Sequence, residues 1–130
     1  MGDRGVIECV EVNGDSIYLY THWTASLLPQ VVAAGLQRGS DRWGDESYLT
    51  RILFDTLTGL EGSTTGYGIA TWCPEDAWRK VVVNHKEQTV QVFEDSNNGW
   101  VSENDPLSFA EFVEQQTALA VAELTDRLGS

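Results

Sequence analysis

The alternation of apolar and polar residues predicts two strands at the start of the chain. Residues 6–12 (VIECVEV) alternate with a period of two, which is typical of a strand that buries one face. The turn-forming residues Asn13, Gly14 and Asp15 follow, and residues 17–21 (IYLYT) predict the second strand. Because the turn between them is short, we expect the two strands to form an antiparallel hairpin.

Apolar residues at helical spacing then predict two helices. The first begins at Ser26, a residue type favoured at the N-cap, carries Pro29 in its first turn and ends at Gly39. The second runs from Glu46 to about Thr58, with Asp45 as its N-cap. The predicted apolar faces consist of Leu27, Leu28, Val31, Val32 and Leu36 in the first helix and Tyr48, Leu49, Ile52, Leu53 and Leu57 in the second.

Three further strands are predicted in the second half of the chain. Strand patterns cover residues 67–72, 78–84 and 89–93, and the last two flank a short polar turn. Residues 95–104 (DSNNGWVSEN) are almost all polar and predict a long loop around Trp100.

A capping box marks the start of the last helix, because Glu111 follows Ser108 by three residues. This helix is expected to run to about Leu128. Its predicted apolar positions are Phe109, Phe112, Val113, Leu119, Val121 and Leu124. The resulting order, β-β-α-α-β-β-β-α, predicts a single α+β domain over residues 1–130 with a mostly antiparallel sheet and about three helices.

The composition is that of one small globular domain. The chain has 130 residues and 42% of them are hydrophobic, which is enough for a core and too many for a disordered acidic tail. The net charge of -12 argues against direct binding to nucleic acid or to an anionic membrane, because like charges repel. With no long apolar run and no signal-peptide pattern, we expect a cytoplasmic protein. Cys9 and Cys73 lie in different segments, so we expect reduced thiols.

The negative charge is concentrated towards the end of the chain. From Glu87 to Asp126 there are nine acidic residues and no Lys or Arg, so residues 87–130 carry a net charge of -8 and residues 1–86 only -4. One interpretation is a solvated face that keeps the protein soluble. The other is a surface that imitates the charge of nucleic acid and blocks a basic groove on a protein partner. The residues expected to contact such a partner are Glu94, Asp95, Glu103, Asp105, Glu111, Glu114 and Trp100.

A second set of residues suggests a small-ligand pocket. Aromatic side chains in or beside loops can stack on a nucleotide, and a histidine and an arginine can bind its polar groups. We expect this alternative site to be formed by His22, Trp23, Arg42, Trp43 and Tyr67. The competing interpretation is that His22 serves packing and that the tryptophans are partly buried against the core.

Catalytic and metal sites find little support in the sequence. His22 as a catalytic base would need a nucleophile or a second acid–base group nearby, and no nucleophile-elbow motif occurs. Cys9, His22, Cys73 and His85 are the atom types that zinc prefers, yet no pair shows the usual close spacing. We therefore predict no catalytic residues, no metal and no cofactor.

Three segments together resemble a group of small proteins from bacteria, especially actinobacteria, and from their phages. They are residues 18–23 (YLYTHW), 42–54 (RWGDESYLTRILF) and 65–69 (TGYGI). Relatives share a His-Trp pair, an Arg-Trp-x-Asp-x-x-Tyr-Leu-x-Arg-Ile block and a Gly-Tyr-Gly-Ile strand, and the resemblance covers residues 17–95. It brings no known activity, but it implies a mobile-element setting in which small acidic proteins often antagonise host machinery that handles nucleic acid.

These observations rank three hypotheses. The leading one is a non-enzymatic acidic protein that binds a protein partner with a basic surface. It would be a phage or mobile-element inhibitor of a host defence or nucleic-acid-handling complex, CRISPR effectors included. The alternative is a small-ligand or nucleotide-binding (sponge) protein, and the third is an enzyme with His22 as its base. The sequence is compatible with a monomer or a homodimer in the cytoplasm of a prokaryotic host.

Overall fold

A computed structural model describes residues 3–59, 64–97 and 99–129, with side chains up to residue 126. Its strands are β1 (Gly5–Val10), β2 (Ser16–Thr21), β3 (Tyr67–Ala70), β4 (Arg79–Asn84), β5 (Thr89–Ser96), β6 (Gly99–Ser102) and β7 (Leu107–Ser108). Its helices are α1 (Leu28–Arg38), α2 (Glu46–Thr58) and α3 (Phe109–Gly129). Two short 3₁₀ turns, Ala25–Leu27 and Ser40–Arg42, flank α1. The predicted order of strands and helices is confirmed.

The strands form one sheet in the order β3-β2-β1-β4-β5-β6, and β7 also pairs with β5. The β1–β2 hairpin is antiparallel, as its short turn requires, and β1 pairs with β4 in parallel. All the other pairings in the described sheet are antiparallel, which confirms the mostly antiparallel α+β fold. Because β1 and β4 are parallel, they end at the same edge of the sheet, whereas β2 ends at the opposite edge.

The predicted loop over residues 95–104 contains the end of β5 and the whole of β6. Asp95 pairs with Trp100 and Ser96 with Gly99, and Gly99 has a φ of +101°, a conformation that glycine adopts without strain. The sequence of this segment predicts a loop because most of its side chains are polar. They are also exposed in the structure, as on many edge strands. Residue 98 lies outside the described residues.

One of the three predicted helix starts, that of α1, differs from the structure. Ser26 is not the N-cap of α1: that position is held by Leu27, and the Ser26 N–H donates to Asp3 Oδ2 at 2.9 Å. Asp45 is at the N-cap of α2, although its side chain makes no capping hydrogen bond. The predicted capping box of α3 is confirmed, because the Glu111 N–H donates to Ser108 Oγ at 3.1 Å and the Ser108 N–H to Glu111 Oε1 at 2.9 Å.

The core lies between the sheet and the three helices. Its largest fully buried side chains include Ile7 and Leu19 from the sheet, Leu36 and Leu53 from α1 and α2, and Phe109 from α3. The cysteines are both free, Cys9 buried and Cys73 half-buried, as expected for reduced thiols. Within the described ranges, no helix combines the length and the apolar character needed to cross a membrane.

Helix α3 covers the core with its first half only. Phe109 and Phe112 are buried, but Leu119, Val121 and Leu124, predicted on the same apolar face, are more than half exposed. The prediction fails because α3 is longer than the strands on which its first half packs, so its second half extends beyond them. The 21 residues of α3 span about 31 Å at 1.5 Å per residue, and the six residues of β4 only about 20 Å. Every residue from 117 to 126 is exposed.

We expect Ser108→Ala to lower the free energy of unfolding by about 1 kcal/mol, because the change leaves the Glu111 N–H without its capping acceptor. Urea unfolding followed by fluorescence measures the change. Ser40→Ala, in an exposed 3₁₀ turn, is the matched control and should change stability by much less. Equal losses in the two variants would show that the capping box does not stabilise α3.

Candidate functional site

A group of titratable side chains lies where the parallel strands β1 and β4 end. Glu11 directly follows β1 and His85 directly follows β4, and the His85 N–H donates to the Val10 carbonyl at 2.9 Å. Helix α2 begins beside them and contributes Glu46 and Thr50. In open α/β sheets, ligands characteristically bind beyond the carboxyl ends of parallel strands. We call Glu11, Glu46, Thr50 and His85 the strand-end cluster.

Thr50 connects the other members of the strand-end cluster. Its Oγ1 lies 2.9 Å from His85 Nε2 and 3.4 Å from Glu11 Oε1, and His85 Nε2 lies 3.7 Å from Glu11 Oε2. Glu46 Oε2 accepts the Val12 N–H at 2.6 Å, which fixes this carboxylate beside the β1–β2 turn. His85 is only 4% exposed.

Burial and like charge shift the protonation equilibria of the strand-end cluster. Burial, followed by the hydrogen bond and the charge repulsion from Glu46, raises the pKa of Glu11 to about 7, although the Thr50 hydroxyl opposes the shift. Burial lowers the pKa of His85, and the Glu46 carboxylate partly offsets this effect. The raised pKa therefore favours the protonated form of Glu11 up to about pH 7, beside an imidazole whose neutral form is favoured by burial.

Two buried atoms of the strand-end cluster lack a hydrogen-bond partner among the described residues. They are Glu11 Oε2 and His85 Nδ1. If Thr50 donates to His85 Nε2, the unpartnered Nδ1 carries a proton; if Thr50 donates to Glu11, the unpartnered Nδ1 is an acceptor. Because buried polar atoms are nearly always satisfied in folded proteins, this imidazole nitrogen is the atom of the cluster with hydrogen-bonding capacity left for a further group.

The strand-end cluster borders a pocket of about 460 Å³. Its lining includes the aromatic side chain of Trp43, the acids Asp45 and Glu46, the His85 imidazole, Lys86 and Gln88. Gln88 Nε2 donates to the Trp43 carbonyl at 3.2 Å, and the Trp43 Nε1 donates to the Leu36 carbonyl at 2.9 Å. The Trp43 ring also packs edge-on against Phe109, with 5.5 Å between ring centroids, so it forms a fixed wall.

Three of the five residues predicted for a ligand pocket meet at the opposite edge of the sheet. The Trp23 ring lies 5.9 Å from the His22 ring and 5.5 Å from the Tyr67 ring, measured between centroids. Gly66, with a φ of +96°, makes room for Trp23, because a Cβ at residue 66 would lie 2.2 Å from the indole. Trp23 is 48% exposed and offers a surface for stacking.

Arg42 and Trp43 do not join His22. Trp43 lies with the strand-end cluster, and Arg42 packs over the Tyr48 ring, 5.0 Å from its centroid. His22 follows β2, whose last residue pairs with Gly5 at the start of β1, whereas the strand-end cluster follows the end of β1. The six residues of β1 separate the two edges by roughly 17 Å. The structure thus divides the predicted pocket into two locations.

The surroundings of His22 do not resemble a catalytic dyad. The Arg4 Nε donates to His22 Nδ1 at 3.2 Å, and the Tyr20 hydroxyl lies 3.5 Å from the same nitrogen. In the described ranges, no carboxylate hydrogen-bonds to this imidazole to orient it as a base. Over the same residues, no group of three or more His, Cys, Asp or Glu side chains is arranged to hold a metal ion.

Of the seven residues predicted to bind a partner, four are exposed acids and three have contacts within the domain. Glu94, Asp95, Asp105 and Glu114 are exposed. The other three have contacts within the domain: Glu103 forms a two-bond ion pair with Arg79 at 3.1 and 2.9 Å, Glu111 caps α3, and the Trp100 ring lies 4.9 Å from Lys80 Nζ.

The acids are also divided between the two edges of the sheet. Glu94 pairs with Arg79 at the start of β4, whereas Ser108, which immediately precedes α3, pairs with Thr89 at the start of β5. The acidic run in the sequence therefore extends along the sheet from the end of β5 to the start of α3.

No known protein family, curated protein or solved structure matches this chain. Function is therefore inferred from the chemistry of the sites and not from likeness to another protein.

The pKa of Glu11 predicts a pH dependence of stability. The ordinary value of 4.5 is raised to about 7 on folding, so the stabilisation by the protonated carboxyl is complete below about pH 4.5 and is lost as the pH rises through 7. From pH 6.5 to pH 8, the wild type should lose on the order of 1 kcal/mol of unfolding free energy relative to Glu11→Gln. Glutamine keeps an acceptor for Thr50 and does not ionise.

Urea unfolding at pH 6.5 and pH 8 measures this difference, and Glu114→Gln, at an exposed site on α3, is the control. The pKa of His85 is lowered from 6.5, so its effect has the opposite sign and acts mainly below this window. If Glu11→Gln and the wild type show the same pH dependence, Glu11 does not hold a proton in the folded protein.

Proposed function

We propose that this protein is a non-enzymatic binding protein and that the far half of α3 is its main contact with a partner. The observation that carries the proposal is the exposure of Leu119, Val121 and Leu124, at 57%, 57% and 56%, on a helix with no covering element over this half in the described residues. Where several exposed apolar side chains lie close together on a soluble domain, they often mark a surface that another molecule covers. We call residues 117–126 the projecting helix.

The projecting helix borders an apolar groove. This groove has a volume of about 310 Å³ and lies between α1 and α3, where Ala33, Ala34 and Ala120 line it together with Val121 and Leu124. Small side chains let a partner approach the helix backbones closely, and the leucine and valine side chains supply area to bury. A groove of this type accommodates apolar side chains of a partner.

Acidic side chains lie within the projecting helix and near one side of it. Leu119 shares a crevice with Arg79 and Glu103, and Glu94 pairs with Arg79 at the same end of the sheet. Glu123 lies within the projecting helix itself. A partner that covers these residues is therefore expected to be basic around an apolar centre, since charge complementarity speeds encounter and selects the partner. The same charge disfavours nucleic acid, anionic membranes and close association of two copies.

We further propose that the partner belongs to a host defence or nucleic-acid-handling complex, CRISPR effectors included. Such complexes carry basic channels for nucleic acid, and an acidic protein can occupy a channel of this kind by imitating the charge of the backbone. The mobile-element setting expected for residues 17–95 is part of the same proposal. In this proposal the protein acts as an inhibitor whose charge steers it to the basic channel.

A small-ligand protein is the second candidate, favoured by the meeting of His22, Trp23 and Tyr67 beside the Arg4 guanidinium. A nucleotide that stacks on Trp23 should raise the melting temperature, because a ligand at 100 times its Kd adds about 2.7 kcal/mol. A thermal-shift screen with nucleotides tests this candidate. Stabilisation that is lost in Trp23→Ala would support it, and no stabilisation by any nucleotide would reject it.

The partner-binding proposal is tested by capture from a bacterial lysate, identification of the bound protein and measurement of its affinity. We expect the affinity to fall steeply between about 50 and 300 mM salt, because screening weakens the attraction between opposite charges. The triple variant Leu119→Ser, Val121→Ser, Leu124→Ser should bind at least tenfold more weakly, a loss of about 1.4 kcal/mol.

The matched control changes two apolar residues that are equally exposed elsewhere, Ile69→Ser and Trp72→Ser. It should retain the wild-type affinity. An affinity that does not depend on salt would reject the basic partner. Equal weakening by the triple variant and by the control would reject the projecting helix as the contact surface.

A further inference from the structure

The pocket beside the strand-end cluster carries an excess of negative charge. Asp45 and Glu46 line it, and Glu11 is close enough to Glu46 for the Glu46 carboxylate to help raise the pKa of Glu11. Lys86 is the one fixed cation in the lining; it is exposed and takes part in none of the ion pairs within the described residues. The two carboxylates in the lining therefore outnumber its one fixed cation.

The His85 imidazole supplies a buried acceptor for the same pocket. Its side chain is 1% exposed, it lines the pocket, and Nδ1 has no hydrogen-bond partner in the described part of the chain. If Nδ1 accepts an N–H from a ligand, Nε2–H can donate to Thr50 Oγ1 and the Thr50 hydroxyl can donate to Glu11 Oε1. In this arrangement the hydrogen bonds run from the ligand through His85 and Thr50 to the Glu11 carboxylate. His85 Nδ1 then acts as an acceptor, so the ligand that fits it best is one that donates N–H groups.

Trp43 adds an aromatic wall that is already held in place. Its indole N–H is bonded to the Leu36 carbonyl and its ring is packed against Phe109, so the ring does not have to be ordered when a ligand binds. Aromatic faces attract cations, and ammonium and guanidinium groups are bound most strongly where an aromatic ring and carboxylates act together.

We propose that this pocket binds a small organic cation, an alkylammonium or guanidinium group, through Asp45, Glu46, His85 and Trp43. The group is either that of a free metabolite or that of a lysine or arginine side chain. This site is separate from the projecting helix and does not depend on the partner-binding proposal.

Binding of a cation is coupled to the protonation of Glu11. The charged and titratable groups that face the site are Glu11 after β1, Asp45 and Glu46 at the start of α2, and His85 and Lys86 after β4. A bound cation favours the ionised form of Glu11, so the proton of Glu11 is released to the solvent. Affinity should therefore rise as the pH increases from 6 to 8.

Calorimetric titration of the full chain with ethylguanidinium is the test, and the neutral isostere N-ethylurea is the comparison. We expect saturable binding of ethylguanidinium, at least tenfold stronger than that of N-ethylurea, and tighter binding at pH 8 than at pH 6. Ethylammonium and a peptide with a single arginine are titrated in parallel. Stronger binding of the peptide than of free ethylguanidinium identifies a protein side chain as the source of the cation, and the reverse identifies a free metabolite.

Variants locate the site. Glu46→Gln should weaken ethylguanidinium binding at least tenfold while retaining an acceptor for the Val12 N–H, and Asp45→Asn serves as a second variant if Glu46→Gln unfolds. Glu11→Gln should weaken binding and remove its pH dependence. Glu114→Gln, on the exposed face of α3, is the matched control and should bind as the wild type does.

Three results would overturn the proposal. They are no saturable binding of any of the cations, equal affinity for ethylguanidinium and N-ethylurea, and equal weakening in Glu114→Gln and Glu46→Gln. Because the projecting helix is intact in Glu46→Gln, capture of a partner by this variant remains measurable, and the two proposals succeed or fail separately.

Discussion

The parallel pairing of β1 with β4 determines which side chains meet in this domain. The two strands are in register from Gly5 opposite Arg79 to Val10 opposite Asn84, so they begin together at one edge of the sheet and end together at the other. The edge where they end brings Glu11 and His85 into contact, although the two residues belong to different halves of the chain. The edge where they begin holds His22, because β2 runs against β1.

Structural features that depend on residues close together in the chain could be predicted from the sequence, whereas the parallel pairing of β1 with β4 could not. The hairpin follows from its short turn, and the start of α3 follows from the spacing of Ser108 and Glu111; both are present in the structure. The β1–β4 pairing depends on packing between distant segments, and an alternating pattern does not identify a partner strand. From the sequence, His85 could therefore be considered only as a candidate zinc ligand and Glu11 only as a polar residue of the first strand. The sequence could not show that the two residues meet.

The acidic run illustrates the same limit for a surface. The acids extend over the length of the sheet, because β5 and α3 carry the chain from one edge of the sheet to the other. Glu103 and Glu111 are also used within the domain, by Arg79 and by the first turn of α3. The periodicity of α3 predicted one apolar face correctly as far as Phe112 and Val113, and it could not show that the supporting layer ends before Leu119.

The strand-end cluster and the projecting helix each depart from a general rule of folded domains. The cluster contains a buried polar atom without a partner among the described residues, and the projecting helix exposes apolar side chains. A half-buried pair of carboxylates beside an unpartnered imidazole costs free energy that apolar side chains of similar size would not cost. Exposed leucine and valine side chains on α3 likewise forgo the gain from burial. Elsewhere the local preferences, the turn residues and the core agree with one another. Departures of this kind concentrate at functional sites, because a binding partner or ligand supplies the interaction that the isolated domain lacks. The two features differ in chemistry. The projecting helix is apolar with acids nearby, whereas the pocket is polar and has an aromatic wall. We therefore expect them to bind two different kinds of molecule.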